Sequence, residues 1–361
     1  MSLTNKFNQA AIITSIAVAC LSAGVARATD SLATRSKPKN LILAGEKHFS
    51  NMRQLTFGGE NAEAYFSADG SELIFQTTRD DFKCDVIFRM AADGRNLRQI
   101  SSGKGVTTCS YIAPDGKSII YASTHLGGDD CPPKPDYSMG YVWPVYKDYD
   151  IFSANPDGSN LKRLTNTPGY DAEGVYSQQG DKILFTSARD GDLELYTMNP
   201  DGSEQTRITH TPGYDGGAFF SADGKKIVWR ASRPTGKALE DYQALLKKGL
   251  IRPSKLDIYI SDADGSNVER LTDNGKANFG PYWHPSGEFI IFASNMNAPK
   301  GRNFDLYTVN VKTKEIEQIT FNDTFDGFPM FSYDGSKFVF ASNRFNSRRG
   351  ETNIFICDWK P

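Results

Sequence analysis

Short apolar runs alternate with tight polar turns along this chain, and one such pattern occurs six times. Each copy has an aromatic pair, a Ser or Pro and a turn ending in glycine, then alternating apolar residues such as Lys226-Ile227-Val228-Trp229. A second turn, which is Asp-Gly in four copies, and a closing triplet typified by Arg-Leu-Thr follow, so each copy predicts four short strands. The six turn glycines are Gly70, Gly116, Gly180, Gly224, Gly287 and Gly335.

Four-stranded units repeated at roughly 45-residue intervals predict an all-β protein, a six-bladed β-propeller of four-stranded blades. The last copy ends after its third strand, at Trp359, whereas a lone fourth-strand sequence at residues 52–56 precedes the first copy. We expect this N-terminal strand to complete the last blade, because ring closure then leaves no open sheet edge. An open β-solenoid is the alternative, but it leaves the lone strand unexplained.

The N-terminal residues have the pattern of an export signal. Lys6 precedes a short apolar stretch that ends in small residues and Ala26-Arg27-Ala28, which predicts a signal peptide over residues 1–28. Residues 29–51 form an N-terminal extension, and residues 52–361 form the propeller. We therefore expect a periplasmic protein. Cys20 follows Ala17-Val18-Ala19, so an outer-membrane lipoprotein with a lipid anchor at Cys20 is the alternative.

Composition and motifs narrow the functional classes. Lys and Arg number 41 against 43 Asp and Glu, so the chain lacks the basic excess that nucleic-acid binding requires. No later apolar run has the length of a transmembrane segment. The sequence contains no G-x-S-x-G, no phosphate-binding glycine loop and no H-E-x-x-H. These observations favour a non-catalytic protein without a cofactor.

Three cysteines and one histidine map near each other in blades one and two. Cys84, Cys109, Cys131 and His125 all fall at one end of the predicted ring. In an oxidising compartment we expect a disulfide between two of the three cysteines, with a structural zinc site as the alternative. Cys357 lies in an apolar run and is interpreted as a buried thiol.

Two insertions interrupt the repeats, at residues 125–148 and 233–255. Both follow the second strand of a blade, so both are expected on one end of the ring, here called the insertion-bearing end. The first insertion is rich in proline and aromatic residues and predicts an irregular flap. The second predicts a short helix ending near Gly249, which docks on the blades or, alternatively, binds a membrane. Its apolar face consists of Ala238, Leu239, Tyr242, Leu245 and Leu246.

Polar residues align at this same end in successive repeats. Cations follow the second strands, and carboxylates and amides begin the innermost strands. We predict that they surround the axial opening and bind a peptide or a polar ligand. The alternatives are Arg–carboxylate pairs that hold adjacent blades together, or a divalent cation held by the carboxylates. The candidate binding residues are Glu60, Asn61, Glu63, Arg79, His125, Tyr141, Trp143, Asp171, Glu173, Arg189, Asp215, Arg233, Asn278, Asp326 and Arg344.

The repeat motif S-x-D-G, I-x-F-x-S-x-R, D-[LI]-[YF], A-D-G-S-N and R-L-T resembles the WD-like repeats of the TolB-type β-propellers over residues 52–361. The resemblance implies a periplasmic protein of the cell envelope. TolB belongs to the Tol-Pal system and binds the peptidoglycan-associated lipoprotein through its propeller. TolB also has an α/β domain ahead of its propeller, and the short segment 29–51 predicts a TolB-like protein without that domain.

The predicted function is that of an exported, non-catalytic scaffold in the cell envelope. We expect the insertion-bearing end to bind an envelope protein or peptide. The alternative is a hydrolase or lyase that acts on a saccharide or peptide at the same end. In that case His125, the arginines and the rim carboxylates would serve as acid, base and charge stabilisers.

Overall fold

Each sequence repeat folds into one antiparallel sheet, because its apolar strands are buried on both faces between neighbouring blades and its glycines adopt the positive φ of tight turns. The computed structural model describes residues 40–138, 140–298 and 303–361. These residues form six four-stranded sheets and one two-stranded sheet. The predicted six-bladed propeller is therefore confirmed.

Strand β1 (Phe49–Gln54) comes before the first blade, and the next twelve blade strands form blades one to three. Blade one is β2 (Glu60–Phe66), β3 (Glu72–Thr78), β4 (Val86–Ala91) and β5 (Arg98–Gln99); blade two is β6 (Thr107–Ile112), β7 (Ile119–Ser123), β9 (Asp150–Ala154) and β10 (Lys162–Arg163); blade three is β11 (Asp171–Tyr176), β12 (Ile183–Ser187), β13 (Glu194–Met198) and β14 (Thr206–Arg207).

The remaining blade strands form blades four to six, and the insertions contribute β8 (Trp143–Pro144), β17 (Leu250–Ile251) and a helix. Blade four is β15 (Asp215–Phe220), β16 (Lys226–Ala231), β18 (Asp257–Asp262) and β19 (Glu269–Arg270); blade five is β20 (Asn278–Trp283), β21 (Phe289–Ser294), β22 (Asp305–Asn310) and β23 (Ile316–Gln318); blade six is β24 (Asp326–Phe331), β25 (Lys337–Ser342), β26 (Asn353–Trp359) and β1.

Ring closure occurs through the N-terminal strand, as predicted. β1 pairs antiparallel with β26, with Phe49 opposite Trp359. The strand begins at Phe49, three residues before the boundary expected from the repeat, so the propeller includes part of the predicted extension. Glu46 also packs against blade six, where its carboxylate is buried beside Arg344. The predicted signal peptide and Cys20 lie outside the described residues.

The closing triplet, Arg-Leu-Thr in two blades and a related sequence ending in Thr or Ser in the others, has the same structural role in every blade. The hydroxyl of its last residue accepts a hydrogen bond from a backbone N–H at the start of the third strand, at 2.8–2.9 Å. This bond joins the outermost strand to its neighbour and satisfies a donor that would otherwise be buried without a partner. The six hydroxyl residues are Ser101, Thr165, Thr209, Thr272, Thr320 and Thr56.

Each inner strand carries a β-bulge at the same position. The bulge residue has a φ between 52° and 60°, and its side chain or Cα faces the propeller axis. Two glycines meet this demand without strain, whereas four other residues adopt it against their intrinsic preference. The six bulge residues are Glu63, Cys109, Glu173, Gly217, Gly280 and Phe328.

Both insertions lie on one end of the ring, as predicted. β8 (Trp143–Pro144) from the first pairs antiparallel with β17 (Leu250–Ile251) from the second. The predicted helix is α1 (Lys237–Leu246), and its Tyr242 is buried against blade three. Ala238 is exposed, so it does not belong to the docked face, because the helix turns that side toward solvent.

A disulfide links Cys84 of blade one to Cys131 of the first insertion, which confirms the predicted disulfide and identifies its partners. Cys109 and Cys357 are free thiols, and Cys357 is buried as expected. No helix within the described residues has the length and apolar character needed to cross a membrane.

Candidate functional site

The propeller axis is closed by aromatic side chains one layer below the bulge residues. Tyr65, Tyr111, Phe219 and Tyr282 form a chain of ring contacts with centroids 5.1–5.6 Å apart. A cavity of only about 30 Å³ remains between this layer and the bulge residues. That volume holds about one water molecule, so the axis is no channel for a peptide or a sugar at this level.

Four polar side chains meet on the axis above the aromatic layer and form what we call the axial cluster: Glu63, Cys109, Glu173 and Arg230. Arg230 of β16 donates a hydrogen bond to the Glu173 carboxylate, across the boundary between blades four and three. The other Glu173 oxygen accepts hydrogen bonds from Thr186 Oγ1 at 2.7 Å and from the Gly217 N–H at 2.8 Å. These contacts fix one charge pair at the centre of the ring.

Burial controls the protonation of the axial cluster. It raises the pKa of Glu63 to about 7, and the negative charge of Glu173 adds to this effect, while Cys109 and Arg230 oppose it. Burial also raises the pKa of the Cys109 thiol well above its usual value. The thiol is therefore protonated at neutral pH and has little nucleophilic character.

The first insertion places an aromatic cover over the axial cluster. The Arg230 guanidinium lies 5.4 Å from the Trp143 ring and 5.6 Å from the Tyr214 ring, in two cation–π contacts. Trp143 also meets the edge of Phe279 from blade five. The flap therefore reaches from blade two across the axial cluster to blade five.

A groove of about 950 Å³ lies between the two insertions and the loops of blade three; we call it the insertion groove. Prolines form part of its wall, tyrosines and leucines contribute apolar surface, and three lysines add positive charge. The residues that carry this character are Pro132, Pro133, Pro135, Pro144, Tyr146, Tyr170, Leu246, Leu250, Lys147, Lys247 and Lys248.

Three of the predicted rim carboxylates are buried in ion pairs with predicted cations. The arginine nitrogen lies 2.6–3.0 Å from the carboxylate oxygen in each pair. Both partners belong to one blade in every case, so these pairs brace the first two strands of a blade and do not join adjacent blades. The pairs are Asp171 with Arg189, Asp215 with Arg233, and Asp326 with Arg344.

Besides the Arg230–Glu173 pair, backbone hydrogen bonds join adjacent blades. The N–H near the start of each inner strand donates to a carbonyl just before the third strand of the preceding blade, as Asp171 does to Tyr149 at 3.0 Å. Asn61 and Asn278 reinforce this contact, because their side-chain amides donate to carbonyls of the preceding blade at 2.7 and 2.8 Å. Both asparagines are fully buried, so a bound ligand does not reach them.

The other candidate residues have mixed surroundings. Glu60 is exposed at the start of β2, and the Arg79 guanidinium lies over the Phe88 ring. His125 shares a hydrogen bond of 2.7 Å with the hydroxyl of Ser123, two residues earlier in the chain. Tyr141 is 66% exposed and receives a hydrogen bond from Trp143 Nε1 at 3.0 Å.

The predicted binding residues therefore fall into two groups, one on the propeller axis and one in buried structural contacts. Glu63, Glu173 and Trp143 come together on the axis, whereas the buried Asp–Arg pairs and asparagines are committed to the fold. Arg230 and the groove lysines were not among the predicted site residues. Within the part of the chain that the structure describes, no three His, Cys, Asp or Glu side chains are grouped to hold a metal ion.

Sequence comparisons identify TolB proteins as relatives. The family model described as TolB beta propeller domain matches residues 145–244. A protein TolB homolog from Chlorobium luteolum is 24% identical over 148 residues, 35% of this chain and 34% of the relative. A Tol-Pal system protein TolB from Francisella tularensis is 32% identical over 105 residues, 28% of this chain and 22% of the relative. The match thus spans about a third or less of these relatives.

Solved structures show the same fold. A putative TolB from Agrobacterium tumefaciens has a TM-score of 0.54 at 19% identity, covering 83% of this chain and 90% of that one. An oligogalacturonate lyase from Vibrio parahaemolyticus has a TM-score of 0.51 at 13% identity, covering 86% and 95%. At these identities the likeness concerns the fold alone. The chain is thus a β-propeller whose sequence resembles that of TolB proteins over part of its length.

Proposed function

We propose that this protein is an exported TolB-like scaffold whose insertion-bearing end binds a protein or peptide of the cell envelope. The observation that carries the proposal is the pairing of the two insertions through β8 and β17. This pairing builds a groove that blade closure does not require. Extra structure of this kind, gathered on one end of a rigid propeller, is typical of a binding surface.

Exposed apolar side chains also favour the insertion-bearing end as the binding surface. Tyr141 and Leu126 are 66% and 57% exposed, the highest values among the large apolar residues that the structure describes. Both belong to the first insertion, as does Tyr137, whose ring stacks on that of Tyr141. Tyrosine offers a large, rigid contact area with one polar atom, and such residues dominate the energetics of protein interfaces.

The alternative of a hydrolase or lyase is less well supported. Three of the rim carboxylates suggested as acid or base, Asp171, Asp215 and Asp326, are buried in arginine pairs. The Cys109 thiol is protonated, and the aromatic layer closes the axis beneath it. Likeness of fold to a lyase carries no catalytic residues with it.

The cellular setting is part of the proposal. Several relatives are Tol-Pal system proteins, and the predicted signal peptide and the Cys84–Cys131 disulfide both suit the periplasm. We therefore place the protein in the periplasm with an envelope protein as its partner. Lipid attachment at Cys20 would anchor the same scaffold to a membrane and change its location but not its binding end.

Photo-crosslinking in cells tests this proposal. A photoreactive residue is introduced at Tyr141 or Gln243 on the insertion-bearing end, and at Asp157 or Asp264 in turns of the opposite end. We expect crosslinked envelope proteins from the first two positions only. Crosslinks from Asp157 and Asp264 alone, or turnover of a glycan by the purified protein, would contradict the proposal.

A further inference from the structure

We infer that the insertion groove binds an acidic, extended peptide segment of a partner protein. This inference rests on the proposed function and deepens it, since it names the site and the chemistry of the partner. Three observations carry it: the charge of the groove, the nature of its walls, and the contacts that hold the groove open in the free protein.

The charge of the groove is opposite to that of the whole chain. Lys147, Lys247 and Lys248 line it, and none of them has an ion-pair partner within the described residues. Asp148 is the single acidic residue in the lining. The full sequence has a net charge of −2, so this concentration of unpaired lysines is local. Such a patch attracts and orients an anionic partner.

The walls suit an extended chain. Pro132, Pro133 and Pro135 have fixed φ angles and no N–H groups, so they form a stiff wall that offers a neighbouring peptide backbone acceptors but no backbone donors. Tyr146 donates a hydrogen bond to the Pro133 carbonyl at 3.0 Å and fixes that wall. Tyr170 supplies an apolar contact for side chains between the acidic residues. Alternate residues of an extended peptide can therefore face the lysines and the apolar surface in turn.

The groove exists without a partner because contacts on three sides hold it. β8 and β17 pair across its base, and the Cys84–Cys131 disulfide ties the proline wall to blade one. On the helix side, the Tyr242 hydroxyl donates to Asp192 at 2.5 Å and fixes α1 on blade three. A preformed site avoids most of the ordering cost of binding on the protein side.

The test uses fluorescently labelled synthetic peptides and the purified protein. One twelve-residue peptide alternates Glu with Pro, Leu and Tyr; its matched control replaces every Glu by Gln. The variant K147Q/K247Q/K248Q removes the groove charges. The matched control variant K117Q/K225Q/K312Q removes three exposed lysines near turns at the opposite end. Binding is followed by fluorescence anisotropy at two salt concentrations.

We expect the Glu peptide to bind more tightly than the Gln peptide and to weaken as salt rises. The groove variant should bind it about tenfold more weakly, and the control variant should match the wild type. Equal binding of both peptides, no effect of the groove substitutions, or tighter binding of an oligogalacturonate than of the Glu peptide would overturn the inference. If crosslinking from Tyr141 still captures an envelope protein after such a result, the proposed function stands and only the groove assignment fails.

Discussion

Arg230 on the second strand of blade four reaches the propeller axis and forms an ion pair with Glu173 on the inner strand of blade three. It passes over Gly217, where a Cβ atom would lie 1.8 Å from the guanidinium Nη1. The pair is nearly buried, with 12% and 14% of the two side chains exposed. It therefore links two blades at the point where the insertions cover the ring.

Removal of the Arg230 charge should destabilise the propeller. Arg230→Met keeps the length of the side chain but leaves the buried Glu173 carboxylate without its cation and close to Glu63, so we expect a loss of about 3 kcal/mol in the free energy of unfolding. Urea denaturation measures it. The double variant E173Q/R230M should recover part of the loss, and Arg95→Met, in an exposed pair, should match the wild type. A loss equal for R230M and R95M would contradict the role given to the pair.

Two equivalent glycines allow the steric clash of a new Cβ with Arg230 to be separated from the strain of a positive φ. Gly217 and Gly280 occupy the same bulge position with φ near 60°. A Cβ at Gly280 meets nothing closer than 3.7 Å, whereas a Cβ at Gly217 displaces Arg230. Gly280→Ala should lower the free energy of unfolding by about 1 kcal/mol, because alanine is strained at a positive φ. Gly217→Ala should lower it by about 2 kcal/mol more, because the new Cβ also displaces Arg230 from Glu173. Chemical denaturation of both variants measures these losses, and equal losses would mean that Arg230 moves aside without cost.

The fold was predictable because its stabilising contacts repeat. The hydroxyl residue that closes each repeat accepts the same hydrogen bond in every blade, and the turn glycines have similar positive φ values. Because the same local contacts occur six times, the residues that make them recur at regular intervals in the sequence. The closing strand was also predictable, since residues 52–56 carry the fourth-strand pattern without a blade of their own.

The site was less predictable because it depends on departures from the repeat. Arg230 reaches the axis only because Gly217 lacks a side chain, and strand alternation alone does not reveal that passage. The aligned arginines instead turn toward aspartates of their own blades. The groove lysines come from insertions a hundred residues apart, and the two-residue ladder between β8 and β17 has no sequence signal. The common bulge could have been suspected from Glu63 and Glu173 at equivalent places.

Glu63 should make stability fall as pH rises. Its pKa is about 7 in the folded protein and about 4.5 when exposed, so between these values the folded state holds a proton that the unfolded state has released. Stability from this group is complete below about pH 4.5 and is lost as pH rises through 7. Glu63→Gln should therefore be more stable than the wild type at pH 8, by about 1 to 3 kcal/mol, and equal at pH 4.5.

Urea titrations at several pH values measure this effect as the difference between variant and wild type, so that other titrating groups cancel. Glu60→Gln, an exposed change in the same strand, is the control and should follow the wild-type curve. A variant curve parallel to the wild type from pH 4.5 to 8 would refute the shifted pKa.

Glu46 should hold the N-terminal segment to the ring. Its carboxylate, Asp326 and Arg344 are almost fully buried, and Arg344 bonds to both acids at 2.8–2.9 Å. Glu46→Ala leaves one carboxylate for the arginine and should cost about 3 kcal/mol, with faster amide exchange in β1. Hydrogen exchange and urea denaturation give both values. Glu315→Ala, on an exposed turn, is the control, and unchanged exchange in β1 would show that ring closure is independent of Glu46.

The Cys84–Cys131 disulfide should preserve the groove more than the ring. It closes a segment of 47 residues and ties the proline wall to blade one, while Cys109 remains a free thiol on the axis. C84S/C131S should lose up to about 2 to 4 kcal/mol of stability by the chain-entropy estimate and expose the flap to protease. Limited proteolysis should then cut first between residues 126 and 138, before the blades are cleaved.

The variant C84S/C131S also separates the contribution of the proline wall to peptide binding from that of the groove lysines. Lys147, Lys247 and Lys248 remain in place in C84S/C131S, so release of the proline wall should remove only part of the affinity for the Glu peptide. Lower salt should restore some of that affinity, because it strengthens the attraction between the lysines and the peptide. Cys109→Ser, which leaves the disulfide intact, is the control for loss of a thiol. Undiminished peptide affinity together with rapid cleavage of the flap would show that the lysines bind without the proline wall, and the groove would then reduce to a charged patch.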